Sequence, residues 1–354
     1  MTTKTKTEQT STKDQIAIQV AEPTGFCFGV KRAIRLVMQG LKSNKGKVYT
    51  LGPIIHNQSV INKLKRLGVT TAPDLSYLKR IKPAQRQKSV VVIRSHGIAP
   101  QVIERIEKLG YKIIDATCPY VKRIQNIAEK LKKENFLTVV IGDKKHPEVK
   151  GILGYAQPYC AVFKENQKPD SIVQQAKHCG GKIGIVGQTT LPIEYFQKAV
   201  KILNNCDELQ EIRVYNTLCK ESLTRQQICR KLAIDSDIMI VVGGKNSANT
   251  RHLVEIAQQF CSQVYQVSEP KEIKPQWLKI SVLDYLGGVG IKKNKGKFRA
   301  NTPLQIGVVA GTSTPRELVL AIVDKIKTSS TSTFFTLAKA AKTTAKEALN
   351  DYGR

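Results

Sequence analysis

Three cysteines carry the clearest chemical signal in the sequence. Cys27, Cys118 and Cys219 are separated by 91 and 101 residues, and each precedes a helical pattern: CFGVKRAIRL, CPYVKRIQNIAEKL and CKESLTRQQICRKL. A helix N-terminus lowers the pKa of a thiol, and three thiolates at one point repel one another unless they hold a cation. The spacing therefore predicts three repeated units that bring their cysteines together around a metal.

Zinc and an iron–sulfur cluster could both occupy such a site. Zinc would take a fourth ligand, whereas a [4Fe–4S] cluster held at three corners keeps one iron open as a Lewis acid. Structural zinc sites generally draw close CxxC pairs, and the sequence contains none. The Cys118–Pro119 step also resembles the Cys-Pro found at cluster ligands. These features favour the cluster.

The remaining cysteines and the N-terminal segment indicate the compartment. Eight cysteines in 354 residues are too few for a disulfide scaffold, so we expect thiols in a reducing compartment. The polar stretch 1–14 lacks the apolar segment of a secretory signal, and no run has the length of a membrane span. We expect a cytoplasmic protein. Five cysteines are expected to be ordinary packing residues: Cys160, Cys179, Cys206, Cys229 and Cys261.

Short β-branched strand patterns alternate with amphipathic helical patterns along the chain. Continuous apolar strands of this kind belong to parallel sheets that are covered on both faces, which predicts an α/β fold. We expect six successive strands, and in such sheets ligands bind beyond the carboxyl ends of the strands. The strand patterns are 89–97, 111–119, 137–148, 182–190, 237–249 and 305–314.

Polar residues cluster where these strand patterns end. Hydroxyl, amide and imidazole donors on loops that open helices suit a small anionic substrate such as a phosphate ester. His146 and Glu148, two residues apart, suit proton delivery if they are buried. Neither a Walker loop nor a full GxGxxG is present, so nucleotide binding is not expected. The candidate donors are His56, His96, Thr189, Ser247, Asn249 and Ser313.

The formal net charge of +29 admits a nucleic acid or a membrane surface as a partner. The basic residues are spread along the chain, however, and the densest run, GIKKNKGKFR at 290–299, resembles a loop insertion without a nucleic-acid motif. We therefore expect a solvated basic surface, with no nucleic-acid partner and no membrane partner. A further alternative is a nucleophilic enzyme that uses Cys118 with His96 or His146. Another dehydratase that carries a cluster is a third alternative.

Nine motifs in order resemble one family, that of the 4-hydroxy-3-methylbut-2-enyl diphosphate reductases. They span roughly residues 20–326: GFCFGVKRA, LGPIIHNQSV, SHGI, DATCP, HPEV, GQTTL, TLCKESLTRQ, GGKNSAN and AGTSTP. The resemblance implies a trefoil of three pseudo-repeated α/β domains around one central [4Fe–4S] cluster. Cys27, Cys118 and Cys219 would hold the cluster.

The resemblance also implies a domain organisation and residue roles. The chain would comprise a disordered tail (1–14), three domains (15–118, 119–214 and 215–328), an insertion near 287–301, and a tail or peripheral helix (329–354). The first residues of the first domain could pack on the third. Glu148 would be the proton source, with His146 and Thr189 arranging the substrate hydroxyl and its proton path. The residues implied to hold the diphosphate are His56, His96, Ser247, Asn249 and Ser313.

In such enzymes ferredoxin or flavodoxin supplies two electrons singly, and the products are isopentenyl and dimethylallyl diphosphate. The sequence departs from the family pattern at two candidate site positions. Ala248 stands where family members often have a second hydroxyl, and Ser222 replaces a common threonine after the third cysteine. Ser222 keeps a hydroxyl, whereas any substrate contact at Ala248 would have to come from its backbone.

Overall fold

The computed structural model describes residues 16–164, 166–278 and 304–329. In these ranges the chain alternates strands and helices, as predicted. The strands are β1 (Ile16–Val20), β2 (Val48–Leu51), β3 (Val69–Ala72), β4 (Val90–Ile93), β5 (Lys112–Asp115), β6 (Leu137–Ile141), β7 (Cys160–Phe163), β8 (Lys182–Gly187), β9 (Glu211–Tyr215), β10 (Ile238–Val242), β11 (Gln263–Val267) and β12 (Leu304–Ala310).

The helices lie between the strands and cover both faces of the sheets. No helix in the described ranges has the length and apolarity needed to cross a membrane. The helices are α1 (Phe28–Ser43), α2 (Gln58–Arg66), α3 (Leu75–Arg80), α4 (Pro83–Arg86), α5 (Pro100–Lys108), α6 (Pro119–Lys133), α7 (Pro147–Ala156), α8 (Asp170–Ala176), α9 (Ile193–Asn204), α10 (Lys220–Asp235), α11 (Ala248–Gln258) and α12 (316–329).

Three four-stranded parallel sheets share one strand order. The first reads β3-β2-β4-β5 and the second β7-β6-β8-β9. The third reads β11-β10-β12-β1, so the N-terminal strand fills the fourth position. The fold is therefore three copies of one α/β unit, and the first strand of the chain completes the last copy. This confirms the predicted α/β class and its parallel sheets.

The interior strands are buried runs of aliphatic side chains. Every residue of β4 (VVVI), β6 (LTVVI) and β10 (IMIVV) is buried, because helices cover both faces of each sheet. Helix starts carry ordinary signals: Asn57 accepts a hydrogen bond from the amide of Val60 at the start of α2, and proline opens α6 and α7. These local signals fix where each strand stops and the next helix begins.

The six expected strand patterns all form strands, but they are not successive. They correspond to β4, β5, β6, β8, β10 and β12, and β7, β9 and β11 lie between them. Most of the strands without a sequence prediction lie at sheet edges, where a mixed sequence such as EIRVY in β9 gives no continuous apolar run. The domain boundaries stay predictions. The tail 1–14, the insertion 287–301 and nearly all of 329–354 lie outside the described residues.

Candidate active site

One repeated backbone contact places the three predicted cysteines. Each cysteine follows the fourth strand of its unit and is the N-cap residue of the next helix, α1, α6 or α10. The amide of each donates to the carbonyl oxygen of a loop that follows the third strand of that unit. The three pairs are Cys27 to Thr312 (3.0 Å), Cys118 to Ser95 (2.9 Å) and Cys219 to Thr189 (2.8 Å).

Gly29 shows how closely the thiols approach one another. A Cβ atom at this position would lie 2.6 Å from the Sγ of Cys118 and 4.0 Å from the Sγ of Cys27. The third thiol, that of Cys219, is near enough to raise the pKa values of both other cysteines. The three sulfurs therefore line one cavity, and the lack of a side chain at Gly29 lets the Cys118 sulfur lie against α1.

The pKa values of the three thiols are raised, which corrects the prediction that the helix N-termini would favour thiolates. Burial is the largest cause and brings the pKa of Cys118 to about 11. Backbone amides at the helix starts do lower each pKa, but burial outweighs them, and neighbouring thiols or carboxylates raise the pKa values further. The thiols therefore need a bound cation to ionise. This also disfavours Cys118 as a free nucleophile, which must ionise near neutral pH.

All eleven predicted site residues line one central cavity of about 690 Å³, its open mouth included. The thiols lie against imidazole, hydroxyl, amide and carboxyl groups that come from all three units. A small ligand with an anionic end and a reducible end fits a cavity that combines hydrogen-bond donors with thiols. The eleven residues are Cys27, His56, His96, Cys118, His146, Glu148, Thr189, Cys219, Ser247, Asn249 and Ser313.

Three histidine rings form a cluster in the cavity wall. The ring centroids of His56 and His96 are 4.5 Å apart, and those of His56 and His146 are 5.7 Å apart. Burial lowers the pKa of all three rings, that of His146 to about 4, and the guanidinium of Arg94 lowers them further. The rings by themselves are therefore neutral at pH 7. An arriving anion would favour their protonation.

The histidines could also be a metal site, since ligand nitrogens from the three rings lie within 4.8 Å of one another. One hydrogen bond argues for an anion instead. The Nδ1 atom of His146 accepts from the backbone amide of Glu148 at 3.2 Å. A neutral ring in this arrangement carries its proton on Nε2 and presents a donor, with no lone pair for a metal.

Glu148 is the one carboxyl among the predicted site residues, and its side chain is buried. Its Oε1 accepts from the backbone amide of Thr189 at 2.6 Å, and its Oε2 accepts from the Thr189 hydroxyl at 2.7 Å. These bonds lower the pKa, but burial outweighs them and raises it to about 7. Glu148 can therefore hold or release a proton near neutral pH, as a general acid requires.

The third unit supplies the remaining donors. Ser247 is the N-cap residue of α11, and the side chain of Asn249 lies in the first turn. The Nδ2 atom of Asn249 is buried without a partner among the described residues. The hydroxyl of Ser313 donates to the backbone oxygen of His56 at 3.3 Å, which joins the first and third units at the cavity. Buried unpaired donors of this kind need a ligand.

Ser222 orients Asn249, a role that the sequence did not reveal. The hydroxyl of Ser222 donates to Oδ1 of Asn249 at 2.7 Å, so the amide nitrogen faces away from this bond. Ser222 lies three residues after Cys219, one helical turn into α10, and this spacing could have placed its hydroxyl near the site. The spacing could not identify the contact with Asn249, because that contact depends on the packing of α11 on α10.

The Ser222→Ala variant should bind an anionic ligand more weakly, because Oδ1 of Asn249 would lose its donor and the amide could turn over. With inorganic diphosphate as the probe, we expect the dissociation constant to rise roughly 10-fold, the cost of one broken buried hydrogen bond. Ser222→Thr keeps the hydroxyl and is the matched control. Equal constants for the alanine variant and the wild type would remove this role from Ser222.

Three glycines of the third unit lie where an added side chain would meet protein atoms. A Cβ at Gly243 or at Gly311 would meet the hydroxyl of Thr250 at 2.5 Å or 2.3 Å, and one at Gly244 would meet the carbonyl oxygen of His56 at 2.8 Å. These glycines therefore allow the loops of the third unit to pack closely. Gly29 is the glycine that borders the cavity beside the thiols.

Fold and site together define a class: an α/β trefoil enzyme with a thiol-lined cavity for an anionic substrate. The model of the family described as LytB protein matches residues 18–327. The chain therefore belongs to the LytB family, which confirms the resemblance. It is 37% identical to 4-hydroxy-3-methylbut-2-enyl diphosphate reductase of Aquifex aeolicus over 312 residues, 88% of this chain and 96% of that protein. The same enzyme of Campylobacter lari is 37% identical over 311 residues, 88% and 97% of the two chains.

Two solved structures resemble the chain. One is (E)-4-hydroxy-3-methyl-but-2-enyl diphosphate reductase, described as the terminal enzyme of the non-mevalonate pathway, with a TM-score of 0.59, 37% identity, and 88% and 98% coverage of this chain and that one. The other is E-1-hydroxy-2-methyl-but-2-enyl-4-diphosphate reductase from Plasmodium falciparum, with a TM-score of 0.68, 26% identity, and 88% and 87% coverage.

Proposed function

We propose that the protein reduces (E)-4-hydroxy-3-methylbut-2-enyl diphosphate to isopentenyl and dimethylallyl diphosphate. The substrate takes up two electrons and two protons; its C–O bond breaks, the hydroxyl leaves as water, and one carbon of the allyl unit gains a proton. The observation that carries the proposal is the single cavity in which three thiols face Glu148, three histidines and the donors of the third unit. Relatives that are 37% identical carry the name of this enzyme.

We assign a [4Fe–4S] cluster to Cys27, Cys118 and Cys219. The donor set fits it: three thiols from three units line one cavity, and Gly29 lacks the side chain that would collide with the Cys118 sulfur. When bound, such a cluster stores and passes electrons and offers one iron without a protein ligand to an oxygen of the substrate. Its positive iron ions would also offset the burial that raises the thiol pKa values.

The diphosphate is bound by neutral and cationic donors at the other side of the cavity. His56 and His96 each have a buried ring nitrogen without a partner among the described residues, as has the amide of Asn249. Ser247 and Ser313 add hydroxyls. Binding the anion raises the pKa of the rings, so that histidine and phosphate charges neutralise each other.

Glu148 delivers protons to the substrate through Thr189. When the carboxyl is protonated, Oε2 donates to the Thr189 hydroxyl, which can pass its own proton into the cavity, since the two oxygens are 2.7 Å apart. His146 donates from Nε2 because its Nδ1 accepts the amide of Glu148. The backbone amide of Glu148 thus orients the His146 ring, which we assign to the substrate hydroxyl.

The electrons come singly from ferredoxin or flavodoxin, as the family resemblance implies. The enzyme works in the cytoplasm, an expectation that rests on the sparse cysteines and the polar stretch 1–14.

Protein purified without oxygen is expected to be brown and to contain about four irons and four sulfides per chain. With a chemical reductant it should convert the hydroxylated diphosphate to the two products, measured by chromatography. A colourless protein without iron that retains a single essential cysteine would favour the nucleophilic enzyme instead. Cluster-loaded protein that leaves this diphosphate unchanged but dehydrates another alcohol would overturn the substrate assignment.

A further inference from the structure

A second concavity lies on the outer surface, where β5 ends and the starts of α1 and α6 meet. We name it the α1–α6 groove. Of the described residues that line it, Arg32, Lys122, Arg123 and Lys130 are cationic and Asp115 is anionic. Lys122 lies 3.7 Å from Asp115 and Lys130 lies 3.8 Å from Glu134, so Arg32 and Arg123 give the groove its net positive charge. Such a surface attracts an acidic partner.

Consecutive residues border this groove and the central cavity. Thr117 and Pro119 line the groove, and Cys118, which lies between them, lines the cavity. Arg32 supports this segment, because its Nη1 donates to the carbonyl oxygen of Thr117 at 3.0 Å. The rate of electron transfer falls steeply with distance. A redox protein seated in the groove would therefore be close to any group that Cys118 holds.

The fold itself does not require these charges. The positions four and five residues after the cysteine are Lys31 and Arg32 in α1, and Lys122 and Arg123 in α6. In α10 the equivalent residues are Leu223 and Thr224, which are uncharged. Only two of the three repeated helices carry the basic pair, and they are the two that border the groove.

An exposed aromatic ring lies one turn from the groove. The side chain of Phe28 is 54% exposed, and it lies four residues before Arg32 on α1, so the two share a helix face. Phe28 also directly follows Cys27. A basic rim beside an exposed aromatic side chain is the composition of a transient protein interface.

We propose that the α1–α6 groove docks an acidic one-electron carrier protein, which passes electrons through the segment at Cys118. This inference rests on the proposed function, since a two-electron reduction fed by single electrons needs such a partner. Each docking oxidises the carrier by one electron and reduces the thiol-held cluster by one. Two successive dockings supply the two electrons that cleave one C–O bond, and the two protons come through the cavity.

The triple variant Lys122→Glu, Arg123→Glu and Lys130→Glu tests the groove in the complete, cluster-loaded protein. The probe is a plant-type [2Fe–2S] ferredoxin, and its dissociation constant is measured by calorimetry at low and high salt. We expect affinity to fall by about 10- to 100-fold at low salt and the salt dependence to weaken. Turnover driven by the ferredoxin should fall, while turnover driven by dithionite-reduced methyl viologen should stay unchanged, because a small reductant needs no docking surface.

The matched control is Lys63→Glu, Arg66→Glu and Lys65→Glu on α2, which reverses two lysines and one arginine in the last turn of another helix. It changes the net charge equally and should leave ferredoxin affinity within about 3-fold of the wild type. If both triple variants lost ferredoxin affinity equally, the effect would come from the net charge of the whole protein and not from the groove. That result would overturn the proposal.

Three further outcomes are decisive. Unchanged ferredoxin affinity in the groove variant overturns the docking site while viologen-driven turnover still supports the proposed function. If the wild type binds RNA, and the groove variant loses that binding but keeps its ferredoxin affinity, the groove is a nucleic-acid surface. That result would also overturn the docking proposal. A wild-type protein that is inactive with viologen contradicts the proposed function, whereas the calorimetry still reports on docking independently of turnover.

Discussion

Serine at position 27, 118 or 219 should abolish both the brown colour and the reductase activity. A serine hydroxyl is a poor ligand for iron, and each cysteine supplies the single thiol of its unit to the cavity. Substitutions of residues that only support metal ligands often cost 10- to 100-fold in affinity or activity, so the loss here should exceed about 100-fold. Iron and sulfide content, electron paramagnetic resonance and turnover with a chemical reductant measure it.

The matched control is Cys160→Ser, which replaces another partly exposed cysteine, at the start of β7. It should keep the full iron content and wild-type turnover. If only Cys118→Ser were inactive, and the variants at 27 and 219 kept their iron and their turnover, the three-thiol site would be wrong. The same pattern would favour a nucleophilic cysteine at position 118.

The sequence predicted the meeting of these thiols because the fold repeats one unit. Similar spacing of the three cysteines implied equivalent positions, and the structure provides them through one amide–carbonyl contact per unit. The polar residues at strand ends were predictable for a related reason, since parallel strands present their carboxyl ends at one edge. Neither argument required knowledge of a specific side-chain contact.

Features that depend on contacts between distant segments were harder to predict from the residues themselves. The packing of the first residues on the third domain was expected, but the strand pairing that joins Ile16 to Leu304, nearly 290 positions apart, was not. The bond from Ser222 to Asn249 requires the packing of α10 on α11. The predicted shift of the thiol pKa values was in the wrong direction. The sequence indicates the helix start, which lowers a thiol pKa, but not the depth of burial, which raises it and is the larger effect here.

The pKa of Glu148, about 7, predicts how turnover depends on pH. The proton source must be protonated, and the protonated fraction falls as the pH rises through this value. Turnover of the wild type should therefore decline above about pH 7. Burial raises this pKa from the ordinary 4.5, so without burial the carboxyl would be ionised at pH 7 and unable to donate.

Glu148→Gln should keep the iron and bind the substrate but lose about 100- to 10,000-fold in turnover, the usual contribution of a general acid. Glutamine has the same shape, and its side-chain oxygen can still accept the amide of Thr189, so the loop should be preserved. The measurements are iron content, the change in the cluster spectrum when substrate is added, and the rate with a chemical reductant at several pH values. The residual rate should no longer show the decline above pH 7.

Two controls separate proton delivery from the loss of a carboxylate in general. Glu107→Gln removes an exposed carboxylate on α5 and should behave as the wild type. Thr189→Ser keeps the hydroxyl that links Glu148 to the cavity and should retain most of the turnover. Wild-type turnover in Glu148→Gln, or an unchanged decline above pH 7, would assign the proton to another donor. Another candidate donor is His146, which contacts the Glu148 amide and whose pKa burial lowers to about 4.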